Sequence, residues 1–260
     1  MTRRVEDTSE ARPTAEAGPS AGAQYAARIR SIPRRRFTPE LIDELHALSN
    51  RMMQEELEHF SRHAHTNDVV HVFERVDTGA LVGFQFWKTV PVALPRAAVI
   101  VGGKLRILPE FRRQALHLRS GLRFYARSQL RHPRTRFYRL SLASIFGFTS
   151  IASSLARYRS FEPRASDVEG RALAAVFEQV AAGSGYGFDR DTGLFDVRIF
   201  MTDETLARYP ASFFDKPAAR AYAEANPDYR TNGCYVGFWF RFSRENLVAL
   251  LRAVRRRGAG

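Results

Sequence analysis

A basic, turn-forming segment follows the most apolar run of this 260-residue chain. Arg106, Ile107 and Leu108 end the run that begins at Ala97, and Pro109-Glu110-Phe111-Arg112-Arg113-Gln114-Ala115-Leu116-His117-Leu118 comes next. The pattern reads as strand, tight turn and helix. Such a turn aims the free N–H groups of a helix start toward the end of a strand, where the helix dipole adds positive potential. Residues 106–108 and 112–118 are therefore a candidate phosphate cradle, with Arg112 at its rim. Proton transfer falls to His71, a strand imidazole that titrates near neutrality. His59 and His63 stand four apart, as two metal ligands on one helix face would. No Glu follows the first His as a zinc-protease pattern requires, so no metal is expected. Cys234, the single cysteine, sits in an apolar segment and reads as a small buried hydrophobe.

Leu108-Pro109-Glu110-Phe111 followed by Arg112-Arg113-Gln114-Ala115-Leu116-His117 resembles the acyl-CoA-binding motif of the GNAT acyltransferase superfamily, an apolar-Pro-Glu-aromatic segment before Arg-x-x-Gly-x-Gly. Ala115 and His117 replace the two glycines, and the His117 side chain stands where the family lets a diphosphate approach bare backbone. The later Arg159-Ser160-Phe161-Glu162-Pro163 is similar to the family's closing Tyr-x-x-x-Gly-Phe-x-Pro. In that register the proton-donating Tyr falls on Ala156; Tyr158, about 200° away around a helix, is the donor that the resemblance implies if the helix ends early or the register is shifted. The resemblance implies an α/β (α+β) fold: a central mixed, mostly antiparallel sheet with helices on both faces and a C-terminal helical and strand extension. It implies a bulged strand at Gly102-Gly103 that splays from the next, opening a V for the pantetheine arm. It also implies acyl-CoA or acetyl-CoA as donor, with the carbonyl polarised by a backbone N–H near Leu108.

The elements that would position these groups can be followed along the chain. Residues 1–24 lack large apolar side chains and read as a disordered tail. Gln24 to Ile32 reads as a short basic helix. Thr38-Pro39-Glu40 starts a helix whose apolar positions run to about Phe60. Val69 to Val76 and Ala80 to Trp87 form a hairpin around Asp77-Thr78-Gly79. A helix from Leu116 to Leu130 crosses to a strand at Phe137 to Ala143, parallel to the Ala97–Leu108 strand, and a helix from Thr149 to Tyr158 follows. Residues 25–163 make the acyltransferase-like core. Residues 164–260 read as an extension that completes the sheet and the acceptor pocket, with a helix at Val168 to Ala182, strands at Leu194 to Met201 and Cys234 to Phe242, and helices at Ala218 to Ala225 and from Ser243 onward.

Charge bears on partners. The net charge is +13, and only three of the 40 basic residues are lysine. Such an excess predicts anionic partners without choosing among them. No recognised nucleic-acid motif accompanies it, so the expected partners are a small-molecule or lipid-like acceptor, an acyl-carrier protein or a membrane surface. With no apolar run of membrane-spanning length and no secretory pattern, a cytoplasmic location is expected. The alternative to an acyltransferase is a catalytically inactive protein of the same fold that holds an anionic partner through its arginines.

Overall fold

The computed structural model describes residues 25–258, so the tail expected over 1–24 lies outside the described residues. The main sheet is nine-stranded and contains β1 (Ala27–Pro33), β3 (Val69–Arg75), β4 (Leu81–Pro91), β5 (Ala97–Ile107), β6 (Arg136–Ala143), β7 (Arg159–Ser160), β8 (Gly187–Phe188), β9 (Leu194–Asp196) and β11 (Cys234–Arg241). Its order is β1-β3-β4-β5-β6-β11-β9-β8, with β7 also paired to β11. A separate ribbon joins β2 (Met53–Gln54) to β10 (Phe200–Met201). Within the main sheet the β5–β6 pairing is parallel and the others are antiparallel. A mixed, mostly antiparallel sheet is thus what the sequence led one to expect.

Helices cover both faces. One core packs α1 (Pro39–Asn50), α2 (Leu57–His65) and α5 (Val168–Gly183) through Ile42, Leu45, Phe60, Leu173 and Phe177. The other packs α3 (Leu116–Arg131), α4 (Ile145–Ala152), α8 (Pro217–Ala225) and α9 (Arg244–Gly258) through Leu118, Phe148, Tyr222 and Leu250. Two short helices, α6 (Asp203–Ala207) and α7 (Ala211–Phe214), precede α8. Among the described residues no helix is long and apolar enough to cross a membrane.

The site depends on where β5 leaves β6. Their parallel ladder runs from Ala97↔Arg136 to Val101↔Leu140 and stops. β5 continues along β4 to Ile107↔Gly83, while β6 continues along β11 to Ala143↔Val236. Each strand stays anchored on its outer side, so the two part in a V. The β4–β5 register shifts opposite Gln85, where Lys104 takes a left-handed φ of 41°. This is a bulge, and it sits just beyond the Gly102-Gly103 pair expected to mark it. Those glycines instead leave room for side chains on both faces. A Cβ at Gly103 would lie 2.5 Å from His63 Nε2, and one at Gly102 would lie 2.9 Å from the Trp87 ring.

Several expected elements differ for local reasons. The segment read as a basic helix is edge strand β1, with Arg28 and Arg30 both bonded to Glu74 of β3 at 3.1 and 2.7 Å. The long helix from Thr38 ends at Asn50. The Asn50 amide accepts from Glu55 N at 3.1 Å and donates to Glu55 O at 3.2 Å, closing a loop that contains β2 and starting α2 afresh. The helix expected over 149–158 begins at Ile145 and stops at Ala152. A left-handed Arg198, φ 50°, breaks the strand expected from Leu194 to Met201. The tight turn after Leu108 is a 3-10 segment, Pro109–Gln114, followed by Ala115 at φ 52°. Ala115 therefore does not occupy a helical first turn. It holds the left-handed conformation that glycine adopts without strain, at a cost of about 1 kcal/mol.

The bulged β4–β5 pairing depends on Gly83, whose added Cβ would lie 2.5 Å from the Arg106 carbonyl oxygen and 2.9 Å from the Phe73 ring. The close neighbour is backbone, so it has little room to give. Gly83→Ala is expected to cost about 1–3 kcal/mol in urea unfolding. A neutral substitution would show that the two strands are less closely apposed than described.

Candidate active site

The V opens into a cavity of about 700 Å³ that reaches both faces of the sheet. β5 supplies Gly102 to Ile107, and β6 with the chain after it supplies Arg139 and Ser141 to Ser144. Beyond Val101 the β6-facing edge of β5 has no strand partner among the described residues; Leu105 O accepts from Arg106 Nη1 at 3.0 Å and Ile107 O from Arg112 Nε at 3.2 Å. Among the described residues no Asp or Glu lines the cavity. Lys104, Arg106 and Arg139 line its interior and are each at least nine-tenths buried. Arg112 is half-buried, and Arg113, Lys216 and Arg256 are exposed lining residues, which mark the mouth. Helix α3 begins at this mouth without a side-chain cap, and its buried second residue His117 lines the cavity. Its Nε2 lies 3.0 Å from the Ser150 hydroxyl of α4.

On the face covered by α1, α2 and α5 lies a buried ionic cluster. The Asn50–Glu55 loop turns the Glu55 carboxylate fully inside, where it accepts from Lys104 Nζ and pairs with His59 Nδ1 at 2.8 Å. Burial alone would raise the Glu55 pKa. The His59 hydrogen bond and the charges of Lys104 and Arg106 outweigh it and hold the carboxyl below its ordinary range. Burial in turn pushes the Lys104 ammonium down to about 8, against the pull of Glu55. Arg106 Nε donates to Ser49 Oγ at 2.9 Å, while its Nη2 is buried without a partner. Tyr235, also lining, is pushed up to about 12 by burial and keeps its phenol proton at neutral pH.

His63 closes this half of the site. Its ring stacks on Tyr186 at 5.7 Å, and its Nδ1 lies 3.0 Å from the Tyr186 hydroxyl and 3.3 Å from Ser184 Oγ. Nε2 is buried without a hydrogen-bond partner, against the bare backbone of Gly103. Burial, reinforced by Lys104 and Lys88, holds the imidazole well below its usual pKa. It is neutral at pH 7, with one nitrogen facing the V. Of the two histidines four apart on α2, His59 serves Glu55 and His63 is paired with Tyr186.

The residues singled out from the sequence divide sharply. Arg106, Ile107, Arg112, Arg113 and His117 line the cavity; Leu108, Gln114, Ala115, Leu116 and Leu118 do not. Leu108 N–H donates to Val82 O at 2.9 Å, so it is not free to polarise a carbonyl. Gln114 ties down the start of β1, donating to Tyr25 O at 2.6 Å and accepting from Ala27 N at 3.0 Å. Ala115, Leu116 and Leu118 are core residues. Arg112 donates to Tyr209 Oη at 2.8 Å and to Ile107 O at 3.2 Å, so much of its fork is committed to the wall.

Neither proton-transfer residue expected from the sequence reaches the cavity lining. Tyr158 follows the early end of α4 and packs on Phe148 and Phe238. His71 projects under α3, with Nδ1 2.8 Å from Ser120 Oγ and its ring against Trp87 and Phe124. Burial, helped by Arg123 and Arg127, lowers its pKa to about 4. What replaces them was only partly signalled. Arg139 stands in the apolar Phe137-Tyr138-Arg139-Leu140-Ser141-Leu142, where strand alternation forces a charge inward. His63 carried no such sign, because its burial comes from α5 and Tyr186, far along the chain.

No protein-family model matches the chain, and no curated protein matches it. Among solved structures, the loading GNATL domain of CurA from Lyngbya majuscula is similar over 83% of this chain and 97% of that domain, with 12% identity and a TM-score of 0.35. Similarity at that level leaves fold and function to be read from this chain's own sheet and cavity.

The depressed His71 pKa has a measurable consequence. Between pH 6.5 and 4 the unfolded chain protonates this residue and the native protein does not, so native stability falls as pH falls through that window. The full span of about 2.5 pH units corresponds to roughly 3 kcal/mol. His71→Asn is expected to lose less stability than wild type between pH 7 and pH 4, by up to that amount, in urea titrations at each pH. Parallel pH profiles would show that His71 is protonated in the native state.

Proposed function

We propose that this protein is a GNAT-like acyltransferase that moves an acyl group from a CoA or acyl-carrier thioester to an amine. The observation that carries this reading is the parting of β5 from β6 after a short parallel ladder, beside an uncapped helix start. A pantetheine arm is an extended amide chain, and the β5 edge beyond its β6 ladder, apart from the carbonyls of Leu105 and Ile107, offers it strand-like hydrogen bonds. The diphosphate lies at the start of α3, where Arg113, Lys216 and Arg256 add charge at the mouth. The acyl carbonyl then sits in the V, polarised by the backbone N–H groups of the β5 bulge rather than by Leu108.

In this reading the acceptor amine enters from the side covered by α2 and α5. Its nitrogen attacks the thioester carbonyl carbon, the new C–N bond forms as the C–S bond breaks, and the ammonium proton passes to His63 Nε2. A neutral imidazole at pH 7 suits that role. The departing thiolate takes a proton from a protonated phenol lining the site, for which Tyr235 is the candidate. Glu55 holds Lys104 in the bulge, and burial, with the Lys104 charge behind it, holds His63 neutral.

Calorimetry with acetyl-CoA and a long-chain acyl-CoA tests binding, and chromatographic detection of free CoA with amine acceptors tests turnover. Arg113→Glu, at an exposed position, is expected to weaken binding by about 1.5 kcal/mol or more, with a loss that shrinks at high salt. His63→Gln is expected to leave donor binding within about two-fold of wild type and lower kcat by about 100-fold or more. Folded protein that binds no acyl thioester would refute the assignment.

A further inference from the structure

Arg139 sits mid-strand in β6, on the face covered by α3 and α4, without a counter-charge. It is 3% exposed and makes no hydrogen bond or ion pair among the described residues. Its guanidinium lies 4.7 Å from the centroid of the Trp87 ring. The backbone has been cleared around it. A Cβ at Gly102 would come within 3.1 Å of Nη2, and one at Gly121 of α3 within 3.0 Å of Nη1. Two further lining residues carry unsatisfied polar atoms, Ser141 Oγ and Gln85 Oε1. A buried guanidinium without a partner is strongly destabilising, and a stacked ring offsets only part of that cost. Its donors have to be met by something the cavity admits.

We propose that this interior end of the cavity is a carboxylate subsite, in which the fork of Arg139 receives a ligand's carboxylate with the Ser141 hydroxyl donating from the side. The planar, five-donor guanidinium matches a carboxylate bidentately. A buried site behind a separately basic mouth suits a small anion better than a second diphosphate. The inference deepens the acyl-transfer reading and rests on it for the identity of the ligand. The carboxylate belongs either to the acyl group, as in a dicarboxylic acyl thioester, or to the acceptor, as in an amino acid.

Succinyl-CoA and butyryl-CoA have acyl chains of equal length and differ in the terminal carboxylate, so calorimetry with both isolates the subsite. If the acyl group supplies it, wild type is expected to bind succinyl-CoA about 10-fold or more tighter, and Arg139→Met to erase that preference. If the acceptor supplies it, the two esters bind alike. The KM for glycine with acetyl-CoA then lies about 10-fold or more below that for glycinamide, again only with Arg139 present. A purely structural arginine would instead show itself in the melting temperature. Arg139→Met is expected to melt at or above wild type, because it removes an unpaired buried charge, and a marked fall would overturn the proposal. So would the absence of either preference, or a preference that survives Arg139→Met. Should no CoA ester bind at all, titration of wild type and Arg139→Met with succinate separates the two readings. Binding that needs Arg139 keeps the subsite and removes the thioester, and no binding removes both.

Discussion

The ladder between β5 and β6 holds from Ala97↔Arg136 to Val101↔Leu140 and then ends, although both strands continue. An interior strand edge without a partner is costly, since each orphaned N–H or C=O loses its solvation. The molecule keeps the edges apart by gripping each strand from outside: β4 follows β5 through its bulge to Ile107, and β11 follows β6 to Ala143. The gap is therefore held open by the sheet on either side. Its edges face a cavity in which Arg106 and Arg112 meet Leu105 O and Ile107 O, and the rest of the edge is open to a ligand or to water.

Charge follows from the same constraint. The cavity brings Lys104, Arg106 and Arg139 inside, and Glu55 is the carboxylate paired there with Lys104. Lys104 depends on Glu55, and Glu55 depends on the short loop that Asn50 closes. Among the described residues, Arg139 rests on the face of Trp87 without an ion pair. Burial, with the charges of Lys104 and Lys88 behind it, keeps His63 neutral, and the excess of cations makes the interior receptive to anions. Stability given up at Arg139 and at the left-handed Ala115 is concentrated around one opening, as expected where strain serves binding.

Local patterns in the sequence revealed much of this framework. The hairpin, the apolar run of β5, the crossover helix α3 and β6 each carry a periodicity or turn signal of their own. What depended on distant packing was hidden. β1 reads as a basic helix because the carboxylate that pairs its arginines, Glu74, lies on another strand. The break after Asn50 rests on a side-chain amide bonding backbone five residues on. Of the site, the basic mouth was legible because Arg112, Arg113 and His117 fall within one six-residue stretch. The interior was not, since His63, Glu55, Lys104 and Arg139 meet only through the fold. Tyr158 stood against the register of the expected helix, and although that helix ends six residues before it, the phenol packs in the core instead of the cavity.

The central claim is that the open edge of β5 receives an extended ligand. Hydrogen exchange of the β5 amides from Gly102 to Ile107, followed with and without saturating acyl-CoA, addresses it directly. Slower exchange on ligand addition, concentrated in this stretch while the Ala97–Val101 amides already laddered to β6 stay unchanged, is the expected result. Exchange in 102–107 that is indifferent to a bound acyl-CoA would contradict the claim and place the ligand elsewhere on the molecule.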